Sequence, residues 1–334
     1  MSYRLGFAVK VLGGGGLPSH DTRRWQSGPH LRVSLQRLAA IFDYLEAEDV
    51  RMYRMASGLV PYGSHPEMPQ FRGQVEECAP ELAELGERAQ GADLRLSFHP
   101  GQYVVLNSED EAVRQGAVLD LELQASVLDA MGLGPEAVVV LHVGGGAGGT
   151  EAALDRFLAG FELLSDAARK RLVIENDDRR FGLADVLALS QRTGLRIVWD
   201  ALHHRCHDPE RIPNDEALRL ALATWPEVVA PKVHYSSPRT AVEEHKLRRG
   251  RRVERRLILP PLRAHADLID PIGFEAFLRG PAAGLDFDVM LEAKAKDLAL
   301  LRLREQLCDR GFGWERGGIV VPGNFGQVDD PIGS

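Results

Sequence analysis

Short apolar runs alternate along the chain with longer stretches in which apolar residues recur at helical spacing. There are eight such runs: RLGFAV from Arg4, VRMYRMA from Val50, LRLSFH from Leu94, AVVVLH from Ala137, RLVIE from Arg171, RIVWD from Arg196, VVAPKVH from Val228 and FDVMLE from Phe287. Several are apolar at almost every position, which is typical of parallel strands covered on both faces. The pattern therefore predicts eight strands of a parallel sheet.

The stretches between these runs predict helices at 31–47, 75–89, 109–131, 151–168, 183–193, 215–225 and 293–310. Strands that alternate with helices indicate βαβ units, and eight units favour closure into a TIM-type (β/α)8 barrel. We expect a single barrel domain at 1–310 and a C-terminal tail at 311–334, whose Gly-rich sequence does not decide whether it is ordered. The alternative is an open doubly wound sheet, but the glycines at 13–16 lack the spacing of a dinucleotide-binding fingerprint.

Length and composition agree with a large barrel domain. The chain has 334 residues, of which 44% are hydrophobic, and a barrel of this type needs about 250 residues before insertions. No apolar stretch reaches the length of a membrane span, and the N-terminus lacks the pattern of a secretion signal, so we expect a cytoplasmic protein. The three cysteines are widely spaced, which favours reduced thiols.

Metal-ligand residue types end six successive predicted strands. They are His99, His142, Glu175, Asp200 (with His203 just after it), His234 and Glu292. A lone residue of this kind is more often a hydrogen-bonded structural residue or a helix cap. Six at the ends that meet on the catalytic face of a barrel would be costly without cations to neutralise them. The sequence therefore predicts a metal cluster in this position.

The ligand types narrow the choice of metal and reaction. Nitrogen and oxygen donors without cysteine favour Mn, Zn, Fe, Mg or Co. The number of ligands exceeds the needs of one ion, so we expect two or three ions bridged by a carboxylate such as Glu175. Clustered ions suit in-line displacement at phosphorus, since one activates water while another stabilises the leaving oxygen.

Three further residues have open interpretations at this point. His65 in PYGSHPEMP and His265 in RAHADLID lie in predicted loops and are either ligands or ordinary loop residues. Lys232 lies two residues before His234 on the same strand, so both side chains point to one face. A lysine that faces a cation cluster would be repelled unless it is modified, or it points to a phosphate.

The net charge of −8 counts against a nucleic-acid partner, because generic nucleic-acid binders are basic. The charge is unevenly distributed, however. Residues 239–263 contain nine Lys or Arg and three Glu. The run KLRRGRRVERR from Lys246 is either a solvated helix face or a surface that binds phosphates through arginine.

Several motifs together resemble the UV damage endonuclease family of the UvdE or UvsE type. They are RLGF, RMASGLVPYGSHP, LSFHPGQYVVLNS, LHVGG, LVIENDD, IVWDALHHR, PKVHYSS, RAHADLID and MLEAKAKDLALL, and they extend from about Arg4 to about Leu303. The resemblance implies a barrel related to endonuclease IV and to xylose-isomerase-like proteins. It also implies an enzyme that cuts damaged double-stranded DNA immediately 5′ of cyclobutane pyrimidine dimers and 6-4 photoproducts, leaving a 3′-hydroxyl and a 5′-phosphate.

The resemblance also implies roles for individual residues. Glu175, Glu292 and Lys232, the last as a carboxylated lysine, are expected in catalysis, and Gln102 and Tyr103 of HPGQY are expected to probe the lesion. The expected metal ligands are His65, His99, His142, Glu175, Asp200, His203, His234, His265 and Glu292. The expected cofactor is a cluster of two or three divalent ions, with Mn²⁺ first and Mg²⁺, Co²⁺ or Zn²⁺ as alternatives. Phe7 stands where the family commonly has tyrosine, which removes a hydroxyl from that position.

The remaining expectations concern DNA contacts and rival functions. We expect Lys10, Arg248, Arg249, Arg251 and Arg252 to contact the DNA backbone, which positions DNA without reading its sequence. We expect a nucleoid-associated monomer, since a duplex must reach an open barrel mouth. The rivals are an abasic-site endonuclease of the endonuclease IV type, a sugar isomerase or epimerase, and a metal-dependent DNA-binding module without catalysis.

Overall fold

Parallel strands form a closed barrel in the computed structural model, which describes residues 1–250 and 252–322. The strands are β1 Ser2–Ala8, β2 Met52–Arg54, β3 Arg95–Phe98, β4 Val138–His142, β5 Leu172–Glu175, β6 Arg196–Asp200, β7 Lys232–Tyr235, β8 Glu243–Arg249, β9 Arg252–Ile258, β10 Asp288–Leu291, β11 Gly313–Glu315 and β12 Gly318–Val320. β1 to β7 follow one another around the barrel, and β10 closes it by pairing with both β7 and β1. The predicted eight-stranded (β/α)8 barrel is confirmed.

Helices surround the barrel. They are α1 Leu31–Ala47, α2 Gln74–Glu77, α3 Ala79–Gly91, α4 Glu111–Ala130, α5 Thr150–Phe161, α6 Asp166–Arg171, α7 Leu183–Thr193, α8 Ala201–Cys206, α9 Asn214–Leu222, α10 Pro271–Arg279 and α11 Lys296–Cys308. Their buried faces pack on the strands in one large apolar core. In the part of the chain that the structure describes, none of these helices is long and apolar enough to cross a membrane.

Two predicted helices are each divided in two. The helix predicted at 75–89 is interrupted at Cys78, and the second part, α3, has a proline in its first turn, where a missing N–H does no harm. The helix predicted at 151–168 is interrupted between Phe161 and Asp166. There Ser165 takes an extended conformation and its hydroxyl accepts a hydrogen bond from the Ala168 N–H. An N-cap of this kind starts a new helix and thereby ends the earlier periodicity.

The seventh strand begins later than its apolar run predicts. The run starts at Val228, but β7 starts at Lys232, and Val228 is 91% exposed. Pro226 and Pro231 flank the intervening residues, and the Val229 N–H donates to the Pro226 carbonyl in a turn. The apolar run therefore combines a loop with a shorter strand, because proline interrupts the hydrogen-bonding ladder.

The basic run and part of the tail form strands that periodicity does not predict. The alternative of a solvated helix face for the basic run is wrong, since β8 and β9 pair with each other as an antiparallel hairpin. In the tail, β12 pairs with β11 and also, antiparallel, with β1. The rest of the predicted tail, from residue 323 onward, lies outside the described residues.

The close packing of α3 against the α4 C-terminus generates a stability prediction. A Cβ atom at Gly86 would lie 1.7 Å from the Met131 carbonyl oxygen, whereas a Cβ atom at Gly91, in the same helix, would meet nothing within 4 Å. We expect Gly86→Ala to lower the free energy of unfolding by about 1–3 kcal/mol, since backbone must shift. Gly91→Ala is the matched control, which should be neutral or stabilising by up to about 1 kcal/mol. Urea unfolding followed by circular dichroism measures both, and a Gly86→Ala protein as stable as wild type would contradict this packing.

Candidate metal centre

The register of the barrel strands brings the predicted ligands together. His142 at the end of β4 is paired with Glu175 at the end of β5, and Asp200 at the end of β6 is paired with His234 in β7. Glu292 directly follows β10, and its N–H donates to the Tyr235 carbonyl of β7. Because all these strands are parallel, the side chains meet at one end of the barrel, which is the catalytic end in barrels of this type.

Glu175 lies at the centre of this cluster and is fully buried. Its Oε2 is 3.1 Å from Nε2 of His99 and 3.6 Å from Nε2 of His142. Its Oε1 is 2.9 Å from Nδ1 of His234 and 3.4 Å from Nδ1 of His203. One carboxylate thus faces four imidazoles, all of which are potential metal ligands.

Three overlapping groups of side chains have the spacing of metal sites. They are His99 with His142 and Glu175, Glu175 with Asp200 and His203, and Asp200 with His234 and Glu292. In each group the potential ligand atoms lie within 4.8 Å of one another. Among the described residues, Asp200 Oδ2 and His142 Nδ1 are buried without a hydrogen-bond partner. A set of nitrogen and oxygen donors with such free lone pairs fits divalent cations.

The electrostatics of the cluster are those of a charged centre in a dry environment. Burial alone would raise the pKa of Glu175, but His234 and His142 outweigh this effect and hold it well below its usual range. Burial raises the pKa of Asp200 to about 7, in opposition to His203. Burial would lower the pKa of His203, but Asp200 and Glu175 raise it to about 11. Bound cations would remove the need for such protonation, since they compensate the carboxylates directly.

Neither loop histidine belongs to the three groups, and the two differ in their contacts. His265 Nδ1 is 3.7 Å from Glu292 Oε2, and its ring lies 6.0 Å from the ring of His203. His65 belongs to none of the three groups, and its Nδ1 accepts a hydrogen bond from the Glu67 N–H within its own loop. The structure therefore brings His265 to the edge of the cluster, whereas the hydrogen bond of His65 lies within its own loop.

Lys232 lies two residues before His234 on β7 and is fully buried. Its Nζ donates a hydrogen bond to Ser97 Oγ at 2.9 Å. Burial, together with the guanidinium groups of Arg54 and Arg95, lowers the pKa of this amine well below its usual range. The site thus favours a neutral amine at a position where an ordinary lysine would be cationic.

Arg54 is a buried member of the site that a search of strand ends for metal ligands does not find. It is the last residue of β2, and its Nη2 lies 2.5 Å from Glu292 Oε1 and 3.0 Å from His234 Nε2. A search of barrel-strand ends finds Arg54 only if it includes cationic side chains as well as metal-ligand types. Asn176 was also missed. Its side-chain oxygen accepts a hydrogen bond from the Asp200 N–H, and its backbone carbonyl oxygen lies 3.0 Å from His203 Nδ1. Contacts of this kind orient ligands and fix their tautomers.

The predicted lesion-probing residues are exposed. Tyr103 is 82% exposed and Gln102 beside it is exposed as well, in the loop that follows His99. Core packing therefore does not explain this tyrosine. Phe7, by contrast, is buried in the barrel, where its ring centroid lies 5.5 Å from that of Tyr53 in a T-shaped arrangement.

The predicted backbone-contacting residues lie mainly in the hairpin. Lys10 follows β1 and is exposed, and Arg248 in β8 is exposed. Arg249 and Arg252 end β8 and begin β9, and Arg251 lies outside the described residues. Lys10 thus follows a barrel strand, whereas Arg248, Arg249 and Arg252 belong to the hairpin.

The sequence is similar to those of known proteins over most of the chain. The sequence profile of the family UV-endonuclease UvdE matches residues 31–311. The UV DNA damage endonuclease of Bacillus cereus (strain G9842) is 31% identical over 279 residues, which are 83% of this chain and 81% of the relative. That of Bacillus velezensis is 30% identical over 296 residues, 86% of this chain and 85% of the relative.

The fold is also similar to those of solved structures. The crystal structure of SacUVDE superposes with a TM-score of 0.79 at 28% identity, covering 92% of this chain and 99% of that one. A 3-keto-D-glucoside 4-epimerase from E. coli superposes with a TM-score of 0.54 at 11% identity, over 92% of this chain and 99% of that one, which shows a shared barrel fold alone. The sequence relatives and the solved structure agree: the chain belongs to the UvdE family of UV endonucleases.

Proposed function

We propose that the carboxylate and imidazole cluster around Glu175 is the centre at which this UV endonuclease hydrolyses the phosphodiester bond immediately 5′ of a UV photoproduct. The single observation that carries this proposal is the overlap of three potential metal-binding groups through Glu175 and Asp200. Carboxylates shared in this way would hold neighbouring ions, which promote displacement at phosphorus. The cut leaves a 3′-hydroxyl and a 5′-phosphate, at cyclobutane pyrimidine dimers and 6-4 photoproducts alike.

The donor set supports a cluster of two or three divalent ions. His99, His142, Glu175, Asp200, His203, His234, His265 and Glu292 would hold them, and His65 would join from its loop. Mn²⁺ is the preferred ion, because hard carboxylate donors and imidazoles both suit it. When bound, such ions act as Lewis acids on phosphate oxygens and lower the pKa of water.

The chain's own carboxylates have distinct tasks in this proposal. Glu175 holds the cluster together and excludes water from its centre, since it is fully buried. Glu292 orients the attacking water through Oε2, because its Oε1 is already engaged by Arg54 at 2.5 Å. Burial would raise the pKa of the Glu292 carboxyl, but the Arg54 guanidinium opposes this effect and the pKa lies well below its usual range. Arg54 is thus a positioning residue that keeps Glu292 ionised.

Lys232 serves as a carboxylated lysine. A neutral amine adds to carbon dioxide with loss of one proton, and the product is a carbamate anion. The low pKa of the buried Lys232 amine supports this modification, and an anion would suit the cluster better than an ammonium.

Recognition of the lesion depends on Gln102 and Tyr103. A photodimer stacks poorly, so its displacement costs less than that of normal bases. Two exposed side chains at the mouth can fill the gap and hold a kink in the duplex. We further propose that the enzyme acts as a monomer and, because its substrate is chromosomal DNA, in the cytoplasm at the nucleoid.

Removal of the central carboxylate tests the proposed centre. We expect Glu175→Gln to lower the nicking rate by at least about 100-fold and to lower the number of bound Mn²⁺ ions, since a bridging ligand is lost. Glu84→Gln, an exposed position in α3, is the matched control and should behave as wild type. Nicking of a dimer-containing duplex and metal analysis of the dialysed protein measure both effects. A Glu175→Gln enzyme with wild-type rate and metal content would exclude this centre.

A second prediction concerns the proposed wedge. Base–aromatic stacking contributes about 1–3 kcal/mol, so we expect Tyr103→Ala to lower kcat/KM on a dimer-containing duplex by about 5- to 150-fold. Tyr103→Phe keeps the ring and should retain most activity. Both variants should keep the wild-type melting temperature, because this side chain is exposed. If Tyr103→Ala nicks the dimer with wild-type kcat/KM, the wedge role is lost.

A further inference from the structure

The hairpin of β8 and β9 forms a sheet separate from that of the barrel. We call residues Glu243–Ile258 the arm. Its strands pair with each other in continuous register from Glu243 opposite Ile258 to Arg249 opposite Arg252, and they form a separate two-stranded sheet. An isolated two-stranded hairpin is marginally stable in water, so an additional partner surface would stabilise it.

The root of the arm is held at the mouth of the barrel. Pro238 and His265 form an antiparallel bridge, and the Ala266 N–H donates to the Ser237 carbonyl at 2.9 Å. Ser237 lies three residues after His234, and His265 lies 3.7 Å from Glu292. The arm therefore emerges beside the proposed reaction centre.

The charge of the arm is opposite to that of the chain. It contains seven Lys or Arg and three Glu, a net charge of +4, whereas the chain carries −8. Lys246 and Arg255 are directly opposite each other, and like charges in such a pair destabilise a hairpin. Among the described residues, no carboxylate lies within 4.0 Å of the Lys246 or Arg248 cations, while Arg255 pairs with Glu244. A polyanion would relieve this repulsion.

One face of the arm combines cations with exposed apolar residues. Residues directly opposite each other lie on the same face of an antiparallel pair, and alternate residues share that face. Lys246, Arg248 and Arg255 therefore share a face with Glu244 and with Val253 and Leu257, which are 54% and 76% exposed. Strands of seven residues reach about 23 Å. A two-stranded ribbon of this kind fits the major groove of a duplex, where cations reach phosphates and apolar groups contact thymine methyls.

We propose that the arm is a DNA-binding ribbon that docks on the phosphate backbone of the duplex beside the lesion. This inference rests on the proposed function, because the root of the arm adjoins the proposed centre. The arm would add a surface for DNA outside the mouth of the barrel. It would also explain how an acidic protein binds a polyanion, because it concentrates positive charge where the duplex leaves the centre. A protein partner would match the apolar residues but not the unpaired cations.

Neutral substitutions of the opposed cations test this proposal. We expect the double variant Lys246→Gln/Arg255→Gln to raise KM for a dimer-containing duplex by about 10-fold at low salt, with kcat unchanged. The slope of log KM against log salt should fall by about 1.8, since each lost phosphate contact removes about 0.9. Lys170→Gln/Arg302→Gln is the matched control, with one exposed lysine and one exposed arginine in α6 and α11, and should leave KM and slope unchanged.

Removal of the arm gives a second measurement. The ends of a hairpin lie about 5 Å apart, so Gly-Asn-Gly can replace residues 243–258 between Val242 and Leu259. This variant should keep its metal content and its cutting position 5′ of the dimer. The wild-type protein should lose affinity when the DNA on one side of the dimer is shortened to about four base pairs. The affinity of the armless variant should not depend on this length.

Three results would overturn the proposal. They are a wild-type KM and salt slope in the double variant, an equal effect in the control pair, and a loss of kcat or metal content instead of affinity. Fluorescence anisotropy of the same duplex with the metal-free protein separates this question from catalysis. If no variant nicks DNA, the proposed function fails, while the difference in duplex binding between wild type and armless protein still decides the role of the arm.

Discussion

The enclosure of one carboxylate, Glu175, by four imidazoles at the end of a closed barrel is the constraint on which the rest of the site depends. The interaction is possible because parallel strands in register present their last residues at one edge, as His142 and Glu175 do. Such a cluster is unfavourable in a dry environment without compensating charge. Arg54 supplies one fixed cation, and divalent ions would supply the remainder.

The parts of the molecule that follow simple periodicity could be predicted from the sequence. The helices predicted at 31–47 and 183–193 coincide with α1 and α7, because an amphipathic repeat is interrupted where the helix ends, in α7 at a left-handed Gly194. The barrel strands could be located because they are apolar on both faces. The potential ligands could be located because every barrel strand ends on the same side, so that sequence position translates directly into spatial position.

Other parts could not be predicted, for identifiable reasons. The arm is composed largely of charged residues, so it lacks the apolar alternation of a half-buried strand. Arg54 was missed because a buried cation is unusual among potential metal ligands, although it too lies at the end of a barrel strand, β2. The strands β11 and β12 have three residues each and are defined by pairing with β1, a contact distant in sequence.

The most direct test of the central claim is the position of the cut. The substrates are a labelled duplex with one cyclobutane pyrimidine dimer, a matched duplex with one abasic site, and an undamaged duplex, each incubated with Mn²⁺. We predict a single nick directly 5′ of the dimer that is abolished by EDTA and restored by added Mn²⁺. Cutting of the abasic duplex alone, or cutting of the dimer that persists in EDTA, would contradict a metal-dependent centre specific for photoproducts.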